Sequence, residues 1–285
     1  MNTKTLSEKA MLVSLSISVW DRFKFDQKVS NEVAVQHNTS MNAGRFNKNL
    51  LPFNPVSYKA VTSVAAEARQ IHYTNTLPWR DDGTRILPCA TWTKHTNEIR
   101  TVQSKFNVAV GEFILESDAL FARAIRELNG LGDIADFPTT ERLKNAFDFR
   151  VKFFPFPTSE DFRVTLQPSD VQVIQAEIEK DVNATIAEAM KEPFRRLHDA
   201  VKRMSVTLAD SDAIFRDTMI TNLETLLDVL PALNLTNDPQ LTAICNEIKA
   251  DLIVNPDTLR HSTVTRSSVA ARALEIQQNL AAFMA

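Results

Sequence analysis

Two apolar stripes at helical spacing, Ala90 to Leu131 and Ser169 to Leu208, bracket a Phe-rich segment that alternates like a β-strand. In the first stripe Ile99, Val102, Phe106, Val110, Phe113, Leu120, Ala124, Leu128 and Leu131 recur at steps of three, four or seven, the period of one buried helix face. Some 40 residues at about 1.5 Å each predict a helix about 60 Å long. Gly111 lies inside it at a cost of about 1 kcal/mol relative to alanine, which marks a close approach by another helix. Asn129-Gly130 is a natural stop. The second stripe is Val171, Ile174, Ile178, Val182, Ile186, Met190, Phe194, Leu197, Val201, Met204 and Leu208, opened by a capping box of Ser169 with Gln172. Pro193 interrupts it without shifting its phase, which predicts a kink between Ala189 and Pro193 rather than a break. The expected fold is mainly α: a long antiparallel helical hairpin carrying a small antiparallel β-sheet, followed by a C-terminal helical bundle.

The sheet is expected from three segments. Val13, Leu15, Ile17 and Val19 alternate with serines, predicting a strand near 12–19. Phe149, Val151 and Phe153 alternate with Arg150 and Lys152 (149–154), and Phe162, Val164 and Leu166 with Arg163 and Thr165 (162–166). The last two form a hairpin around Pro155 to Asp161. An isolated hairpin is marginal in water, so the first strand is expected to join it.

Asn54-Pro55, Asp238-Pro239 and Asn255-Pro256 each combine a capping residue with a proline that suits the first helical position. They predict helices from Pro55 to Thr74, from Pro239 to Ile253, and one starting at Pro256. Further helices are expected over Asp26–His37 with Val29 and Val33 inward, and over Thr140–Ala146, Ala213–Leu230 and Thr265–Phe283. Asn38 to Asn54 reads as loop, and Leu77 to Pro88 as a Pro-framed turn around Asp81-Asp82-Gly83. The chain divides into segments 1–88, 89–210 and 211–285, or forms one continuous domain.

Function classes narrow by elimination. A net charge of -3 gives no global pull toward nucleic acid or anionic membrane. Only five glycines occur and none form a phosphate-cradling cluster, so the chain is no nucleotide hydrolase of the P-loop or dinucleotide-binding classes. Cys89 and Cys245 are too few for an all-cysteine zinc site or a disulfide framework, and read as thiols in a reducing compartment. The five histidines (37, 72, 95, 198, 261) include no HExxH and no i, i+4 pair. Asp210 and Asp212 read as helix-capping acids. No catalytic residue, metal site or cofactor is expected, and with no targeting segment the expected compartment is the cytoplasm.

Two patches remain. Trp79, Asp81 and Asp82 occupy a turn of defined shape, and such loops carry binding more often than cores do. Arg45 and Lys48 flank Phe46, and Arg195, Arg196 and Arg203 form a basic cluster with Lys191 and Lys202. These are the residues a nucleic-acid backbone would contact.

Met11-Leu12-Val13-Ser14-Leu15-Ser16-Ile17-Ser18-Val19-Trp20, Ala43-Gly44-Arg45-Phe46-Asn47-Lys48, Leu77-Pro78-Trp79-Arg80-Asp81-Asp82-Gly83 with Ile86-Leu87-Pro88, and Ala213-Ile214-Phe215-Arg216-Asp217 together resemble a family of uncharacterised proteins of tailed phages and integrative elements. The resemblance spans most of the chain and implies no catalytic residue. It implies a context: members are encoded near a MoxR-type AAA+ ATPase and a von Willebrand A domain protein. Such von Willebrand domains grip a partner's carboxylate through a bound metal, which makes Asp81 or Asp82, beside Trp79, the expected docking acid. The expected function is a non-enzymatic adaptor or interaction protein of a phage or mobile element, working with those two partners. The alternative is a nucleic-acid-binding accessory protein of phage or element recombination. Long helical stripes also pair between chains, coiled-coil fashion, so a homo-oligomer is expected as well.

Overall fold

The computed structural model describes residues 6–158, 167–210 and 212–284. It is mainly α with a small antiparallel sheet and a helical C-terminal region. The predicted strand 162–166 lies outside the described residues. A four-stranded sheet, in the order β4-β5-β1-β6, is built from β1 (Ala10–Ser18), β4 (Leu77–Pro78), β5 (Thr84–Pro88) and β6 (Asp148–Phe154). β1 and β6 are the strands that alternation predicts. β4 and β5 were expected only as a turn. They pair antiparallel, Leu77 opposite Ile86 and Pro78 opposite Arg85, and β5 also pairs antiparallel with β1, Ala10 opposite Pro88 through Ser14 opposite Thr84. Two prolines and a two-residue strand hide this hairpin from any test of period.

The chain divides into two compact units, each assembled from separated segments, so the boundaries expected near 88 and 210 do not describe it. The first unit comprises Met1–Ser14, His72–Thr96 and Lys152–Ala285. Its helices include α5 (Pro168–Ala189), α6 (Lys191–Ala209), α7 (Thr218–Leu233), α8 (Pro239–Asp251), α9 (Pro256–His261) and α10 (Thr263–Ala281). The α5 helix starts on Pro168, with no side-chain cap, so the capping box at Ser169 does not form. Proline at the first helical position loses nothing, since that N–H has no intrahelical partner. At Asp238 and Asn255 the predicted caps do form, accepting from Gln240 N and Asp257 N at 2.8 Å each. The bend falls at Met190, between α5 and α6. Pro193 thus sits in the first turn of α6, where its missing donor is harmless. α6 lies along α10, with Leu197, Val201, Met204 and Ala273 fully buried and Phe194 stacked on Phe283 at 4.8 Å. Burying each large apolar side chain contributes about 1.5–3 kcal/mol.

The second unit comprises Leu15–Ile71 and Asn97–Val151. It contains α1 (Gln27–Gln36), the ribbon of β2 (Phe23–Phe25) with β3 (Asn47–Asn49), most of α2 (Val56–Thr74) and of α3 (Trp92–Leu128), and α4 (Thr140–Asn145). Val61, Ala65 and Ala68 of α2 bury against the core that Val102, Phe106 and Phe113 of α3 supply. Trp20 packs between Phe113, Phe121 and Tyr58, and the Tyr58 hydroxyl donates to the Trp20 carbonyl at 2.8 Å. The two long stripes, expected as the arms of one hairpin, therefore feed separate cores. Helix α3 ends at Leu128 as predicted, with Asn129 in the left-handed region (φ +49). Asn54, expected as a cap, is left-handed too (φ +48), and its Oδ1 accepts from Arg22. On α1 the buried face is Ser30 and Ala34 rather than Val29 and Val33. Asp26 caps that helix, and Ser30 Oγ accepts from Phe46 N, a polar tie that a hydrophobic period does not see.

Candidate functional site

The β4–β5 hairpin in the first unit carries the acidic turn. Leu77 and Ile86 are fully buried below it, and Trp79 is 7% exposed with its ring 5.0 Å from that of Phe156. Trp79 is therefore an anchor of the turn, and its ring is not offered to a partner. Above it Arg80 N donates to Thr84 O at 3.4 Å, and Gly83 takes φ +84, a conformation that costs a glycine nothing. Asp82 Oδ1 accepts from Thr84 N at 2.8 Å. That bond to the Thr84 amide holds the Asp82 carboxyl below the usual carboxylate range. Asp82 thus closes the turn with its own side chain. Asp81 is exposed, with no hydrogen-bond or ion-pair partner among the described residues. Arg80 reaches Asp181 at 3.4 Å, a solvent-exposed pair that contributes little.

The five basic residues divide between the units, Arg45 and Lys48 in the second and Arg195, Arg196 and Arg203 in the first. Two of them are committed to the interior. Lys48 is 8% exposed, paired with Asp26 at 3.1 Å and Asp136 at 2.5 Å, and donates to the Leu131 carbonyl. Arg196 donates to the carbonyls of Tyr73, Thr74 and Thr76 at 2.8–3.1 Å and pairs with Glu192. Those carbonyls close the end of α2, so the guanidinium supplies donors where the helix has run out of its own. Arg45 lies exposed over the Phe25 ring, Arg195 pairs with Glu188, and Arg203 donates to the Asp199 carbonyl of its own helix. A basic residue folded inward has the same sequence signature as one facing water, which is why spacing does not separate them.

The structure joins two histidines that lie 23 residues apart, beyond any local motif. His72 Nδ1 and His95 Nε2 lie 3.1 Å apart, with both rings buried. Burial, then the charges of His95 and Arg85, push His72 down to about 3, and burial pushes His95 down to about 4. Both rings are neutral near pH 7, one donating to the other. Their outer nitrogens, His72 Nε2 and His95 Nδ1, have no hydrogen-bond partner among the described residues. Arg85 donates to Thr76 through Nε at 2.7 Å and lies over the Tyr73 ring at 4.7 Å. Among the described residues no group of three or more His, Cys, Asp or Glu side chains could hold a metal ion, and no helix is long and apolar enough to cross a membrane. No family model, curated protein or solved structure matches the chain.

Proposed function

We propose that this chain is a non-enzymatic interaction protein, the adaptor or substrate-side component of an ATPase-driven module of a phage or mobile element. Its partners in this reading are a MoxR-type AAA+ ATPase and a von Willebrand A domain protein. One observation carries the reading: Asp81 presents an unpaired carboxylate on a turn whose shape Asp82, Gly83 and the buried Trp79 fix from below. A pre-ordered carboxylate loses little conformational entropy on binding and suits the open position of a partner's hard divalent cation, which takes oxygen ligands. The three residues divide the work: Asp81 ligates, Asp82 shapes, Trp79 anchors. The nucleic-acid reading is the weaker one, because Lys48 and Arg196 are already satisfied internally.

The test is binding of the full chain to the purified von Willebrand A domain protein with magnesium present. Asp81→Asn, which keeps the size and removes the charge, is expected to weaken binding at least about tenfold, or roughly 1.4 kcal/mol. Chelation of the metal should act like the substitution. If Asp81→Ala and Asp82→Ala proteins both bind undiminished, the docking role is lost. A gel shift at low salt on the unaltered chain settles the alternative, since phosphate contacts are strongest there.

A further inference from the structure

The core face of α3 is accounted for by the second unit, but its opposite face is not. Val108 is 62% exposed there and Leu115 86%, and Gly111 lies between them. Among the described residues a Cβ at Gly111 would meet nothing within 4 Å, so no described neighbour requires a glycine at this point of α3. Glycine in such a place serves the close approach of another backbone. We propose that this face is the seam of a homodimer, in which α3 pairs antiparallel with α3 of a second copy about a two-fold axis between Ala109 and Val110.

The choice of a second copy rests on the charge pattern. Ser104, Val108, Gly111 and Leu115 follow steps of four, three and four, so they share one line along the helix. Antiparallel pairing about that centre sets Val108 against Gly111 and Leu115 against Ser104, a large side chain opposite a small one at each layer. Two-fold symmetry brings the same flank of each helix together. On one flank lie Lys105 and Glu112, on the other Arg100 and Asp118. Lys105 of each copy then meets Glu112 of the other, and Arg100 meets Asp118, offset by no more than two residues, about 3 Å of helix rise. Both flanks are self-complementary in the same register. A parallel pairing would instead set one flank against the other and bring Arg100 of one copy to Lys105 of the next, two like charges. Lys105 also pairs with Glu67 at 2.9 Å, an exposed contact that it can share with the copy's Glu112.

Sedimentation of the full chain from about 1 µM to about 1 mM, a range that spans weak to moderate self-affinity, reads the outcome. The unaltered chain is expected to dimerise reversibly. Gly111→Leu fills the space the second helix needs while leaving the single chain folded, and Leu115→Glu puts a charge into the seam. Each should raise the dimer dissociation constant at least about tenfold. Lys105→Glu should do the same, and Lys105→Glu with Glu112→Lys should restore the dimer. Circular dichroism of Gly111→Leu at the dilute end should show undiminished helix. A chain that remains monomeric throughout, a dimer indifferent to Gly111→Leu and Leu115→Glu, or a charge swap that fails to restore association each overturns the pairing.

Discussion

Replacing Arg196 with methionine keeps the aliphatic stem of the side chain and removes the donors that close the end of α2. Two of its three carbonyl bonds, to Thr74 and Thr76, are partly buried, and the one to Tyr73 is exposed. A partly buried bond from a charged donor contributes about 1.5 kcal/mol and an exposed one much less, so the three together give about 3–4 kcal/mol. The Glu192 pair, with side chains 16% and 27% exposed, adds up to about 1 kcal/mol. One term opposes the loss. Arg85 lies close enough that burial and then the Arg196 charge bring it down to about 10, so losing that like charge relieves Arg85. The net expectation is a loss of about 2–3 kcal/mol, or roughly 6–10 °C in Tm for a unit of this size. Trp79 and Trp92 belong to the first unit and Trp20 to the second, so urea unfolding followed by tryptophan fluorescence in a Trp20→Phe background reads the first unit alone. Arg203→Met is the control, since among the described residues Arg203 bonds to the Asp199 carbonyl of its own helix, and should cost under about 0.5 kcal/mol. Arg196→Lys keeps the charge without the fork, and should recover less than half the loss. Equal stabilities for Arg196→Met and Arg203→Met would refute the capping role.

Two further perturbations probe buried polar groups. Folded His72 and His95 sit near 3 and 4, below an unfolded value near 6.5, so the unfolded chain takes up the protons first. Their contribution is intact above about pH 7 and is lost as pH falls from about 6.5 toward 4. His72→Phe with His95→Leu removes both sites and should flatten the stability slope between about pH 6.5 and 4.5 by up to two protons, as read by urea midpoints at each pH. In the second unit Lys48→Met removes the cation shared by Asp26 and Asp136, each mostly buried, while Lys24 still pairs with Asp136 at 3.0 Å, and should cost about 3 kcal/mol, read by Trp20 fluorescence. Bonds to Val29 and then to Lys48 lower Asp26, and hydrogen bonds from Lys48 and Lys24 overcome burial to lower Asp136. The stabilisation from these two carboxylates is therefore full above about pH 4 and lost as acid protonates them, and Lys48→Met should weaken that loss.

The elements visible in the sequence are those whose stabilising contacts repeat along the chain. The serine alternation before Trp20 gives β1, the Phe106 and Phe113 period gives α3, and proline after Asp238 or Asn255 gives helix starts correct to the residue. What escaped depends on contacts between distant residues. His72 meets His95 only because α2 and the start of α3 are brought together, and Arg196 finds carbonyls more than a hundred positions away. The β4–β5 hairpin is stabilised by pairing with β1 rather than by its own pattern, so Trp79 looked presentable where it is packed. At Gly111 the sequence suggests a close contact that is not found among the described residues. Of the candidate site, the acidic turn was legible as a shape, while the separate duties of Asp81 and Asp82 required the Thr84 amide to be in view.

The division into interleaved segments has a consequence for synthesis on the ribosome. Every residue of the second unit lies between Leu15 and Val151, so its core can close while the later helices are still being made. The first unit has no such option. Leu6, Ala10 and Leu12 belong to a core whose other walls include Leu197, Val201 and Ile276. These early apolar residues leave the exit tunnel, as does their neighbour β5, long before those helical walls exist. β1 supplies residues to both units, so its second half can be ordered first and hold the first half in register until α10 arrives. On this order of events, a chain released between Val151 and α10 holds the whole second unit but lacks the helical walls of the first unit's core.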